Sequence, residues 1–319
     1  HLMTKNIILK CMRRKGHLIA LTLVFIFSVY WGEAFARSSE VIIFHAGSLS
    51  VPFARIEKIY EAAHAGADVR REPGGSRICA RKITDLKRPC DIMASADVEV
   101  ITTLLFPDYA DTCYEFATNR MVIAYTLKSR YADKITPTNW YEILAKPEVS
   151  FGHSDPEADP CGYRTVLLFQ LAERFYNRPW IAQKLGKKAV IRRKSVELIA
   201  LLETGNLDYA FEYRSVAVQH GLKYLELPKE IDLGDPSLDK YYRQASIRLR
   251  GKGPGEYITV RGKTISYGIT LLKNALNRAQ ATEFMEFLLD PRKGMKILRE
   301  SGQTPITPPR IIKFREKQR

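Results

Sequence analysis

The chain has 319 residues, of which 45% are apolar and 27% charged. This composition predicts two globular domains and excludes a disordered, collagen-like or coiled-coil protein. The formal net charge is +15, and five cysteines are too few for a disulfide scaffold in a chain of this length.

The first 36 residues have the three parts of a secretory signal. Basic residues precede an apolar run at 18–31, and Ala34-Phe35-Ala36 supplies the small residues that signal peptidase requires. The run is short for a membrane span, which needs about 20 residues, so an uncleaved anchor is the weaker alternative. We expect cleavage after Ala36 and a periplasmic location. Residues 1 and 2, which precede Met3, are interpreted as a cloning remnant.

Removal of the signal takes away five basic residues and one acidic residue, which lowers the net charge from +15 to +11. A net charge of +11 is compatible with binding to nucleic acid, to an anionic surface or to a small anionic ligand. The sequence contains no zinc-finger spacing, nucleic-acid-binding signature or interleaving of aromatic and basic residues. We therefore expect no nucleic-acid partner, no structural zinc and no cofactor.

From Val41 onward, strand patterns alternate with helix patterns. Predicted strands cover 41–44, 67–72, 91–95, 119–127, 150–152, 207–213 and 264–272. Predicted helices cover 52–64, 76–86, 140–144, 165–176, 196–204, 277–289 and 291–301. This alternation predicts an α/β fold with parallel strands.

Polar residues stand in the turns that precede three predicted helices. They are Ser48 or Ser50 in the turn that contains Ala-Gly-Ser, Ser76 in a Gly-Gly-Ser turn, and Asp159 before Pro160. A helix N-terminus offers free N–H groups and a partial positive charge, so several of them aimed at one point form an oxyanion site. Ser and Asp are also ordinary N-caps without a ligand, and for any single turn that alternative stays open.

These residues carry a family resemblance that extends from about 41 to 309. The motifs are Phe44–Leu49, Gly74–Ser76, Asn139–Leu144, Asp159–Arg164, and Leu207–Tyr209 followed by Tyr213–Ala217. In this order they resemble the tungstate/molybdate-binding proteins of ABC importers, in the branch best known from archaea. The Asp-Pro-Cys-Gly-Tyr-Arg run is the most specific of them.

The resemblance implies an α/β, two-lobed type II periplasmic-binding-protein fold with two crossing strands and a ligand cleft between the lobes. The predicted first lobe is 37–117 plus 274–319, and the second is 118–273, with crossings near Ala117 and 268–272. The implied function is capture of tungstate or molybdate by a monomer, without catalysis, for delivery to an inner-membrane ABC permease. Ser48 and Ser76 would contact the oxyanion from the first lobe, and Asp159 and Tyr213 from the second.

The resemblance also implies that carboxylates bond the metal of the oxyanion and widen it from four to six oxygen ligands. Asp159 matches one such carboxylate, whereas Ser195 stands where the other is expected. Ser195 would then donate a hydrogen bond to a tetrahedral ligand. Glu197 lies two residues further on, turned away by about 200° if the segment is helical. Asp159 is predicted as a metal ligand, with a protonated donor and a simple N-cap as its alternatives.

Other functions are weaker alternatives. The same fold can bind another anion, such as sulfate or phosphate, or an iron complex. An enzyme would need Cys161 as a thiol nucleophile with His153 or His45 as its base, but no third orienting residue is evident. A polyanion-binding module is the remaining possibility.

Four cysteines, Cys79, Cys90, Cys113 and Cys161, follow the signal. They allow three full disulfide pairings, of which a Cys79–Cys90 bond is preferred.

Overall fold

The structure, a computed structural model, describes residues 40–315. The predicted signal at 1–36 lies outside the described residues. Within 40–315, no helix combines the length and hydropathy that crossing a bilayer requires.

The first lobe is built on a six-stranded sheet in the order β13-β4-β12-β3-β1-β2. β1 runs parallel to β2 and β3, whereas β12 is antiparallel to β3 and β4, and β13 is antiparallel to β4. The strands are β1 Glu40–Ala46, β2 Asp68–Gly74, β3 Ile92–Ser95, β4 Thr112–Thr118, β12 Ser266–Leu271 and β13 Thr304–Lys313. The helices are α1 Ser50–Ala63, α2 Ser76–Thr84, α3 Val98–Leu104, α10 Arg278–Leu289 and α11 Gly294–Glu300.

The second lobe contains a five-stranded sheet in the order β7-β6-β8-β5-β9 and a separate hairpin, β10-β11. Its sheet strands are β5 Met121–Tyr125, β6 Phe151–Ser154, β7 Val190–Arg192, β8 Tyr209–Tyr213 and β9 Lys223–Glu226. The hairpin strands are β10 Ser246–Arg250 and β11 Tyr257–Arg261. The helices are α4 Trp140–Leu144, α5 Pro160–Tyr176, α6 Ile181–Lys188, α7 Glu197–Glu203, α8 Arg214–Gln219 and α9 Asp239–Tyr242. The α/β class predicted from the sequence is confirmed.

The chain crosses between the sheets twice. β4 ends at Thr118 in the first sheet, and β5 begins at Met121 in the second. On the return, all of β12 pairs within the first sheet. This corrects the sequence division, which assigned 266–271 to the second lobe, because the return crossing lies nearer Thr264 than residue 273. The helices α10 and α11 pack on α1 of the first lobe.

The preferred Cys79–Cys90 disulfide is wrong, because all four described cysteines are free and buried. Cys79, Cys90 and Cys113 pack in an apolar cluster under the first sheet. The Cys79 Sγ donates to His45 O at 3.7 Å, and the Cys90 Sγ donates to Ile92 O at 3.1 Å. Each thiol therefore behaves as a small buried hydrophobe with a weak donor.

Candidate functional site

The carboxyl ends of β1, β2 and β8 and the loops before two helices of the second lobe carry the predicted site residues to the boundary between the lobes. Ser48 follows β1, and Ser76 begins α2 directly after β2. Asp159 caps α5 of the second lobe, and Tyr213 ends β8. Ser195 lies in the loop before α7. All five side chains are buried, at 7% exposure or less.

Backbone contacts show that the lobes are closed over these residues. The Ile78 N–H of the first lobe donates to Ala158 O of the second at 3.4 Å. A Cβ added to Gly75 would lie 2.3 Å from that same oxygen, and one added to Gly47 would lie 3.3 Å from Val196. Glycine is therefore needed at position 75, because a side chain there would keep the backbone segments of the two lobes from approaching this closely.

Three of the cleft hydroxyls already accept a hydrogen bond from inside the protein. The Ala96 N–H donates to Ser76 Oγ at 3.0 Å. Tyr267 Oη donates to Ser48 Oγ at 3.0 Å, and Arg164 Nη1 donates to Tyr213 Oη at 2.7 Å. Tyr267 in turn accepts from Asn119 Nδ2 at 3.1 Å. Because a hydroxyl has one proton to donate, each of Ser48, Ser76 and Tyr213 keeps its proton free for a ligand.

Asp159 has both carboxyl oxygens in use. Oδ1 accepts from the Cys161 N–H at 3.1 Å, which is the N-cap bond of α5, and Oδ2 accepts from the Ser195 N–H at 2.9 Å. Burial raises the pKa of Asp159, and the two N–H donors oppose that rise. Asp159 therefore caps α5 and also fixes the position of the Ser195 loop through a hydrogen bond. Direct bonding of Asp159 to a metal stays a prediction.

Arg164 joins the lobes beneath the cleft. It extends from α5 of the second lobe, donates to Ala96 O of the first lobe at 2.6 Å, and pairs with Asp97 at 3.1 Å. Tyr163 Oη also donates to Asp97, at 2.6 Å. Burial alone would raise the pKa of Asp97, but the charges of Lys263 and Arg164 hold it below its usual value. Sequence reasoning quoted Arg164 only as part of a motif and missed Tyr267 and Asn119, since no local pattern shows which hydroxyls they reach.

A second set of contacts closes the rim of the cleft. Arg77 of α2, 1% exposed, donates to Glu157 O at 3.1 Å and to Arg250 O of the β10-β11 hairpin at 2.6 Å. Arg81 donates to Gly251 O at 2.9 Å. The hairpin, which belongs to neither sheet, thus serves as a bridge to the first lobe.

The residues proposed for an enzyme do not form a catalytic group. Burial raises the pKa of the Cys161 thiol well above its usual value, so the thiolate that nucleophilic chemistry needs is disfavoured. The Cys161 Sγ donates to Phe211 O at 3.6 Å. Nδ1 of His153 lies 2.7 Å from Ser154 O, and Nδ1 of His45 lies 2.8 Å from Ala46 O. The histidines therefore bond to the backbone at the strand ends. Within residues 40–315, no cluster of three or more His, Cys, Asp or Glu residues has the arrangement of a metal site.

Two α/β lobes, two crossings and a closed cleft lined by hydroxyl donors define a type II periplasmic-binding protein. The chain belongs to the family described as bacterial extracellular solute-binding protein, whose sequence profile matches residues 41–303. The family resemblance inferred from the sequence is thereby confirmed.

Individual relatives agree with this placement. A solute-binding protein of Petrotoga mobilis is 48% identical over 275 residues, covering 85% of each chain. The molybdate/tungstate-binding protein WtpA of Pyrococcus abyssi is 44% identical over 306 residues, covering 87% of this chain and 88% of the relative. The periplasmic molybdate-binding protein of Azotobacter vinelandii is similar in fold, with a TM-score of 0.61 at 15% identity over 83% of this chain and 98% of that one.

We expect His45 to make the protein sensitive to acid. Burial, with a smaller contribution from the charge of Arg71, lowers the pKa of His45 to about 4, although the bond to Ala46 O opposes the shift. The unfolded chain takes up this proton near pH 6.5 and the folded chain only near pH 4, so stability is lost as the pH falls through that window. One pKa unit corresponds to about 1.4 kcal/mol, which gives a loss of about 3 kcal/mol at pH 4.

Denaturant unfolding at several pH values tests this expectation. His45→Asn keeps a donor for Ala46 O and should flatten the pH dependence, whereas His220→Asn, at an exposed histidine, should leave it unchanged. Equal slopes for wild type and His45→Asn between about pH 6.5 and 4 would contradict the assignment.

Proposed function

We propose that this protein captures tungstate or molybdate outside the cytoplasm and delivers it to an inner-membrane ABC permease. The observation that carries the proposal is the donor set of Ser48, Ser76 and Tyr213, each of which accepts a hydrogen bond from within the protein and so can direct its own proton at a ligand. A site of this kind presents several donors to the ligand. It therefore favours a fully deprotonated dianion over hydrogen phosphate, which needs an acceptor as well. The 44% identity to a molybdate/tungstate-binding protein supports the choice of metal oxyanion.

Binding is proposed to close the lobes, as the contacts of Gly75 and Arg164 suggest. Each hydrogen bond to a charged ligand contributes about 1.5–3 kcal/mol, so five to eight donors, including N–H groups at the helix starts, suffice for sub-micromolar affinity after the ordering costs. The protein is proposed to act as a monomer without cofactor or catalysis. Its signal is proposed to be cleaved after Ala36 on the way to the periplasm.

Calorimetric and thermal-shift titrations with tungstate, molybdate, sulfate and phosphate test this function. Tungstate at about 100 times its Kd should stabilise the fold by about 2.7 kcal/mol, a rise in Tm of about 5 to 10 °C. Ser76→Ala should weaken binding, whereas Ser237→Ala, at an exposed serine, should not. Stabilisation by sulfate or phosphate alone would favour the alternative anion, and no response to any of the four would overturn the proposal.

Asp159→Asn tests whether Asp159 bonds directly to the metal. The interpretation must also include the loss of a hydrogen bond that Asp159 makes as the cap of α5. The Cys161 and Ser195 N–H groups bond to different oxygens of Asp159, and Asn has an NH2 group in place of one of these oxygens, so one of the two bonds is lost. We therefore expect Asp159→Asn to lower tungstate affinity about 10-fold through the lost bond alone. Under metal ligation the loss should be larger for tungstate than for sulfate.

Ser195→Glu is the complementary variant. It restores the carboxylate that the resemblance implies at this position, and a six-coordinate site should tolerate it. A tetrahedral site should lose binding, because the added charge repels the dianion. Equal losses of tungstate and sulfate affinity in Asp159→Asn, together with no binding by Ser195→Glu, would exclude metal ligation by Asp159.

A further inference from the structure

A buried arginine near the start of α2 has its hydrogen-bond acceptors in the opposite lobe. Arg77 belongs to the first lobe and is 1% exposed. Its guanidinium donates to Glu157 O at 3.1 Å, to Glu157 Oε2 at 3.3 Å and to Arg250 O at 2.6 Å. Within residues 40–315, no acceptor of the first lobe bonds to this side chain. Because a buried cation without acceptors is costly, Arg77 can be buried only while the second lobe lies against α2.

The β10-β11 hairpin is attached to the second lobe at two points. Gln170 of α5 exchanges two hydrogen bonds with the backbone of Ser246, since Nε2 donates to Ser246 O at 2.9 Å and Oε1 accepts from the Ser246 N–H at 3.0 Å. Glu157 Oε1 accepts from the Arg250 N–H, also at 3.0 Å. The hairpin must therefore move together with the second lobe when the cleft opens.

The tip of the hairpin, residues 251–256, contacts the first lobe. Arg81 of α2 donates to Gly251 O at 2.9 Å. Lys252 forms an ion pair with Asp108, in the segment that follows α3. The hairpin thus crosses the lobe boundary through two further polar contacts beside those of Arg77, and the cleft hydroxyls take part in none of them.

The position of these contacts relative to the cleft indicates their role. Arg77 directly follows Ser76, and Glu157 lies two residues before Asp159, so one set of bonds aligns the starts of α2 and α5 across the cleft. We propose that the hairpin acts as a latch, in which Arg77 and Glu157 hold the closed lobes around the oxyanion without touching it. Both are positioning residues, and this inference rests on the proposed function. Since the bonds of Arg77 require closure, their loss should weaken the binding of every oxyanion by the same factor.

Calorimetric titration of the full chain with tungstate and with molybdate tests the latch. Arg77→Met keeps the apolar stem of the side chain but removes the charged donors, so both affinities should fall about 10- to 150-fold and their ratio should not change. The Tm of the ligand-free protein should change less than that of the tungstate-bound protein. Arg70→Met, at a side chain that is 65% exposed, is the matched control and should bind within about 3-fold of wild type.

Glu157→Ala distinguishes a latch from direct contact between Arg77 and the ligand. In a latch, this variant should weaken tungstate binding, because the hairpin and Arg77 lose an acceptor that they share. The double variant with Arg77→Met should then lose less affinity than the product of the two single losses. If Arg77 instead bound the dianion, removal of the neighbouring carboxylate would strengthen binding, and that result would overturn the latch.

Replacement of residues 251–256 by Asn-Gly shortens the tip without altering the cleft. A two-residue turn of this sequence can join the strands where Arg250 pairs with Tyr257. Loss of the Arg81 and Lys252 contacts should raise the tungstate Kd about 10-fold. The inference is overturned if this variant or Arg77→Met binds within about 3-fold of wild type. If wild type binds sulfate or phosphate but not tungstate or molybdate, the proposed function fails, and the same variants titrated with that anion still test the latch.

Discussion

Replacement of Arg164 by Met should lower tungstate affinity by about 150- to 4000-fold. The guanidinium is 2% exposed and connects Asp97 and Ala96 of the first lobe to Tyr213 of the second. Removing one partner of a buried ion pair costs about 3–5 kcal/mol, because the other charge stays buried. The contacts with Asp97 and Ala96 cross between the lobes and require closure, so most of the loss should fall on ligand binding, and the Tm of the ligand-free protein should change less.

Arg70→Met is the matched control for this prediction. The Arg70 side chain is 65% exposed and pairs on the surface with Glu40 and Asp68. Exposed ion pairs contribute about 0–1 kcal/mol, so the control should bind tungstate within about 3-fold of wild type. A double variant, Asp97→Asn with Arg164→Met, should recover part of the lost affinity, because it leaves no buried charge unpaired. An Arg164→Met Kd close to that of wild type would show that the ion pair does not stabilise closure.

The sequence indicated candidate site residues wherever a local pattern places a polar group at the start of a helix. Ser48 and Ser76 can be identified as candidates without knowledge of the tertiary fold, because each follows a strand and a short Gly-containing turn near the start of a helix. Asp159 before Pro160 has the same character, since Asp and Pro are favoured at the first positions of a helix. The structure gives Asp159 its predicted cap and adds the bond to the Ser195 loop.

The sequence did not predict contacts that depend on how the lobes meet. Arg164 lies inside a helix whose periodicity predicts only its burial, and its partner Asp97 is 67 positions earlier in the chain. Charges of this kind are positioned by tertiary packing, for which a single sequence has no local signal.

Two strands of the first sheet were also missed, for different reasons. β4, Thr112–Thr118, is short of β-branched apolar residues, and the sequence pattern predicts no strand from 96 to 118. β13, Thr304–Lys313, contains three prolines, which cannot donate to a β-ladder, and no strand is predicted there either. In the structure β13 is an edge strand, and its register with β4 shifts between Pro305 and Arg310. An edge position tolerates the missing donors.

Substitution of Gly75 by Ala should block closure without disturbing either lobe. The backbone of Gly75, at φ −62° and ψ 135°, is one that Ala adopts freely, so the substitution introduces no local strain. The added Cβ would nevertheless lie 2.3 Å from Ala158 O and 3.3 Å from the Cβ of Asp159, both in the opposite lobe. The lobes must then stay about 1 Å further apart, and overpacking of this kind costs about 1–3 kcal/mol. Tungstate affinity should fall about 10- to 100-fold.

Gly186→Ala separates this steric effect from the general consequences of replacing glycine. Gly186 is exposed in α6, and an added Cβ meets nothing within 4 Å. Ala in place of Gly inside a helix stabilises by about 1 kcal/mol, so this control should raise the Tm slightly and leave tungstate affinity unchanged. Gly75→Ala should show the opposite pattern, with an unchanged ligand-free Tm and a weakened Kd. A lowered Tm with an unchanged Kd would instead place the role of Gly75 in the folding of the first lobe, and the Ala158 contact would then have no part in capturing the ligand.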